Sequence, residues 1–94
     1  MTDQIQEMIA RGRHLVPPHM WGGIERYFLK RIPPGGFLSA LLSNDLMEAF
    51  GCADDENASA MQNWCRFLYN YAPRGSYGSP EAFMNWLKPE NLDD

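Results

Sequence analysis

The apolar positions of this chain fall into short blocks at helical spacing, separated by proline and glycine. Ile5, Met8 and Ile9 stand at i, i+3 and i+4. That spacing predicts a first helix from a cap at Thr2 or Asp3 to about Arg13, with Gly12 as its stop. Pro17-Pro18 opens a second helix whose apolar stripe is Trp21, Ile24, Tyr27, Phe28 and Ile32. Gly22-Gly23 weakens its first turn by about 1 kcal/mol per glycine relative to alanine, so another backbone or a ligand is expected to approach closely there. Ile32-Pro33 ends this helix, and Gly35-Gly36 can take positive φ in a sharp reversal. Phe37, Leu38, Leu41 and Leu42 predict a short third helix buried nearly all round. Leu46, Met47, Ala49 and Phe50 continue the apolar pattern, with Gly51 as terminator. Between the two segments, Ser43-Asn44-Asp45 either caps a new turn or sits inside one bent helix. Asp54 or Asp55 then caps the longest helix, reaching about Tyr71 through Ala60, Met61, Trp64, Phe67 and Leu68. Ser79-Pro80-Glu81 is a strong helix start, with Phe83, Trp86 and Leu87 facing inward and Pro89 as the stop. No stretch alternates with period two for long enough to make a strand. The fold predicted is all-α: a compact bundle of five or six short helices in one domain, residues 1–94, with a loose acidic tail at 89–94.

Composition supports a folded domain of thin stability. The 94 residues are 45% hydrophobic and 13% aromatic, and large rings bury much area per residue. The net charge of −4 argues against general nucleic-acid binding, which needs a basic face to displace counterions. No run of apolar residues is long enough to span a bilayer, and the N-terminus does not read as an export signal, so no membrane association and a cytoplasmic location are expected. Cys52 and Cys65 are then free thiols, read as small core residues in apolar helical context.

Candidate chemistry is sparse. His14 and His19 are five apart with prolines between them, and the Asp55-Asn57-Ser59 opening of a calcium loop fails at Ala60 and Arg66. Neither a metal nor a cofactor is expected, and no constellation of nucleophile and base points to an enzyme. The pattern that stands out is basic residues beside aromatics. Arg26-Tyr27 leads into Lys30-Arg31, Arg66 precedes Tyr69 by one turn, and Arg74 lies near Tyr77. Arginine grips phosphate as a fork and tyrosine stacks on bases. The plain alternative is tyrosines in the core and arginines reaching past them to solvent. Asn44, Asp45 and Asn57 add polar groups that, if buried, must bond to each other or to a ligand.

The run IERYFLKRIPPGGFLSALLSNDLMEAFGCADDEN, followed by RFLYNYAP and YGSPEAFMNWL, resembles a group of small uncharacterised accessory proteins of tailed phages and prophages. The likeness covers about Ile24 to Leu87; residues 1–16 form a helix that varies in that group. It implies an accessory gene expressed in the bacterial cytoplasm and dispensable for building the particle. In that setting the expected function is non-enzymatic counter-defence. A homo-oligomer would sequester a small nucleotide-type immune signal on Arg26, Tyr27, Lys30, Arg31, Asn44, Asp45, Arg66, Tyr69 and Tyr77. The alternative is inhibition of a host defence or housekeeping protein through exposed aromatics such as Trp21 and Tyr77, and a third is a phage structural or assembly protein.

Overall fold

Arg31 and Asn44 both adopt left-handed backbone conformations, with φ of 58° and 66°, and they set where the chain changes direction. The computed structural model describes residues 2–88, with side chains from Gln4 onward. Capping by Thr2 or Asp3, the stop at Pro89 and the tail at 89–94 therefore lie outside the described residues. Within them the chain is all-α and contains no strand. The helices are α1 (Thr2–Gly12), α2 (Trp21–Lys30), α3 (Gly36–Leu42), α4 (Leu46–Cys52), α5 (Asp55–Ser59), α6 (Met61–Tyr71) and α7 (Pro80–Leu87). Two 3₁₀ turns, Arg13–Leu15 and Pro18–Met20, join α1 to α2.

Several boundaries differ from the sequence reading. Arg31, not the glycine pair, makes the turn after α2. Its N–H returns to Tyr27 O and that of Ile32 to Arg26 O, closing the helix in a left-handed cap. Gly35 is extended at φ −72°, and neither it nor Gly36 has positive φ. Ile32 consequently leaves the stripe and is exposed. Asn44 separates α3 from α4, so the bent-helix alternative falls away. Gly51 does not terminate α4, which continues to Cys52. The long helix starting at Asp55 breaks at Ala60, where ψ of 11° yields one loose turn between α5 and α6.

The core runs through α2, α3 and α6. Trp64, Tyr27 and Phe67 are fully buried, and Phe28 and Phe37 nearly so. Their rings meet edge to face, Phe37 on Trp64 at 5.5 Å and Tyr27 on Phe28 at 5.0 Å between centroids. Gly12 is the point where α1 rests on α6: a Cβ there would stand 2.6 Å from the Tyr71 ring and 2.8 Å from Phe67. The loop before α7 is pinned by two hydrogen bonds and α7 itself by a third. Tyr27 Oη donates to Ser76 O at 2.7 Å, Gly78 N–H to Leu42 O at 2.9 Å, and Trp86 Nε1–H to Tyr27 O at 3.1 Å. The radius of gyration, 12.2 Å, matches the roughly 12 Å expected of a compact chain of this length.

Candidate functional site

Five of the nine expected ligand-binding residues share one groove. Asn44 and Asp45, at the α3–α4 turn, face Arg66 and Tyr69 of α6, with Tyr77 of the following loop at one end. The groove encloses about 500 Å³ and is mostly apolar; Leu41, Leu46 and Leu68 contribute to its walls. Its α6 wall is Gln62, Cys65, Arg66, Tyr69 and Asn70, the i, i+3, i+4, i+7 and i+8 positions of a face that lies away from the core. The Tyr69 ring is 83% exposed, whereas Tyr77 is half-buried. Asp45 has two attachments. Its carboxylate caps α4 by accepting from Glu48 N–H at 3.3 Å, and it lines the groove beside Asn44.

The other four residues lie elsewhere. Tyr27 is wholly buried, so stacking on a ligand is ruled out. Its ring packs on Phe83 at 5.6 Å, its hydroxyl is bound to Ser76, and burial raises its pKa. Arg31 holds Trp86, with its guanidinium 3.6 Å from the ring centroid and Nη1–H donating to Trp86 O at 2.9 Å. Arg26 lines a second cavity and shares no pocket with Arg66. Lys30 is exposed one turn after Arg26 on α2. The proposed quartet of cations is thus dispersed, and one guanidinium, that of Arg66, reaches the groove.

The expected protein-binding anchors also change. Trp21 is half-buried: its Nε1–H donates to Arg13 O at 3.2 Å, and the Arg13 guanidinium covers its ring at 4.2 Å. Exposed large apolar side chains occur instead at Met8, Ile32, Tyr69 and Met84 and, three together, on α4. Only Ala49 of that helix is buried, while Leu46, Met47 and Phe50 are exposed, Met47 by 84%. These three fall within about 100° of arc on a 3.6-residue helix. The apolar pattern of α4 continues the core pattern in sequence but not in space. One signal was available: four apolar residues in five positions exceed what one buried face of so short a helix can use.

Cys52 and Cys65 are both exposed, which corrects their reading as core residues. Cys52 Sγ–H donates to a Glu48 carboxylate oxygen at 3.4 Å, and that bond raises the thiol pKa, the direction opposite to nucleophilic activation. Asp54 caps α5 by accepting from Asn57 N–H at 2.7 Å and meets His19 Nε2 at 2.9 Å. The Asn57 bond, followed by His19, lowers its pKa. No group of three or more potential ligands for a metal ion occurs among the described residues, and no helix there is long and apolar enough to cross a membrane. No protein-family model matches the chain, and neither a curated protein nor a solved structure matches it.

Proposed function

We propose that the protein works by binding, not catalysis, and that it engages another protein through the groove between α4 and α6. One observation carries this reading: Leu46 and Tyr69, two large apolar side chains outside the core, line this groove, and Met47 and Phe50 stand exposed on α4 beyond Leu46. Exposed apolar groups gathered at a concavity are typical of a docking surface. The acidic Asp45 lines it, in a chain of net charge −4. The matching partner face has apolar anchors at its centre and basic residues at its rim. The phage resemblance makes a host defence or housekeeping protein in the bacterial cytoplasm the partner class.

A second reading keeps the same groove for a small nucleotide-type immune signal. It is favoured by Arg66 lying with Tyr69, Tyr77 and Asn44 around a volume within the ordinary range for small ligands. One guanidinium is few for several phosphates, so this reading needs a homo-oligomer that joins two grooves.

A photo-crosslinking residue in place of Met47, expressed in the bacterial host, tests the first reading. The expected result is a discrete adduct with one host protein, absent when the crosslinker replaces Gln4 on α1. Absence of any adduct particular to position 47 would sink it. Native mass spectrometry of the freshly purified chain tests the second. A nucleotide-sized added mass that disappears in Arg66→Ala would put sequestration first.

A further inference from the structure

The docking groove carries one charge of each sign. Asp45 lines it from the α3–α4 turn and Arg66 from α6, and no other charged residue among those described lines it. Asp45 caps α4 through one carboxylate oxygen. Neither Asp45 nor Arg66 has an ion-pair partner among the described residues.

The relief of this face is mixed in the same way. A hollow of about 500 Å³ is bordered by the exposed side chains of Tyr69 and Leu46, and Met47 and Phe50 stand out from α4 beyond Leu46. The face thus offers projecting apolar groups and a recess to receive them.

A surface that holds both halves of each match is complementary to its own image. A two-fold axis through the groove, midway between Asp45 and Arg66, exchanges their positions. It sets Arg66 of each copy against Asp45 of the other, so the contact is made twice. The same rotation turns each Tyr69 toward the recess of the other copy. Neither charge is then covered alone, which is the costly way to bury a groove that holds them. Such pairing closes at two copies, because each spends its own groove on the other.

We propose that two copies of this chain pair through this face about a two-fold axis, with Arg66 of each on Asp45 of the other and Leu46, Met47, Phe50 and Tyr69 between them. The proposal rests on the reading of the groove as a docking surface. It names the occupant of that surface at rest, a second copy, which a host protein displaces.

Sedimentation velocity of the whole chain from about 5 to about 500 µM reads the pairing. The parent chain is expected to pass from one copy to two across that range. Arg66→Glu, at an exposed position outside every helix cap, sets like charges against each other at both contacts and should weaken pairing at least about tenfold. Asp45→Lys should do the same with two cations. Mixed in equal amounts the two variants match, lysine facing glutamate at one contact and Asp45 facing Arg66 at the other, and should pair about as tightly as the parent. The proposal is overturned if the parent stays a single copy throughout, if assembly runs past two copies, or if Arg66→Glu pairs as tightly as the parent. It is overturned equally if the mixture pairs no better than its parts while Asp45→Lys keeps the parent's helical circular dichroism. The adduct at position 47 is read separately. Single copies that still form it sink the pairing and leave the host partner; paired copies that never form it do the reverse.

Discussion

Tyr27 shows how one atom decides a residue's role. Next to Arg26 in sequence it has the look of a stacking tyrosine, but its hydroxyl reaches across 49 positions to Ser76 O inside the core. Replacing it with phenylalanine leaves that carbonyl buried without a donor. The expected loss is about 1–3 kcal/mol of unfolding free energy, read by urea denaturation with an unchanged slope. Gly12 is the converse case, where any added atom is too much. Gly12→Ala puts a methyl group within 2.8 Å of two rings. A cost of about 1–3 kcal/mol from overpacking is expected, seen as a lowered melting temperature. Neither effect was legible in the chain itself. A hydroxyl partner 49 residues away leaves no periodic trace, and Gly12 reads as a helix stop whether or not a ring lies above it.

Helices were legible where local chemistry alone fixes them. Ser79-Pro80-Glu81 starts α7 as written, with Ser79 Oγ accepting from Ala82 N–H at 3.0 Å, and Asp54 caps α5. The inner face of α6 follows its 3.6-residue stripe, with Met61, Trp64, Phe67 and Leu68 all buried. Errors came where two conformations compete closely. The left-handed turn fell to Arg31, although glycine offered it more cheaply, because the Arg31 guanidinium is anchored on Trp86. For the candidate site, Asn44, Asp45, Arg66, Tyr69 and Tyr77 were readable as polar and aromatic positions, but their meeting in one groove depends on how the α3–α4 turn and the loop after α6 are set against α6, which spacing does not encode. The α5 cap carries a pH signature. The folded chain holds Asp54 below its unfolded pKa, so the cap's contribution is complete above the unfolded value and is lost as pH falls through the folded one. Asp54→Asn should therefore lower the melting temperature most near neutrality, and the difference from the parent should shrink below about pH 4. A difference that stays constant from pH 7 to the acid limit would assign the effect to shape rather than charge.

At the scale of the whole molecule, a core closes on itself, and among the large apolar side chains left outside it three stand together on α4. Met47 contributes little to the core, being 84% exposed. Met47→Asp should therefore change unfolding free energy by no more than about 0.5 kcal/mol while abolishing capture of the proposed protein partner. A large loss of stability would instead place Met47 in the fold, and unaltered capture would remove it from the interface. The loop between α6 and α7 has a different consequence, one for the order of events at birth. Trp86 binds the backbone of Tyr27 across 59 positions, and Ser76 receives the Tyr27 hydroxyl across 49. A ribosome that has delivered α1 to α6 has made every helix of the core yet not the segment that satisfies its buried tyrosine. Until Ser76 and Trp86 emerge the nascent chain holds its aromatic surface open, and that interval is when a chaperone has most to bind.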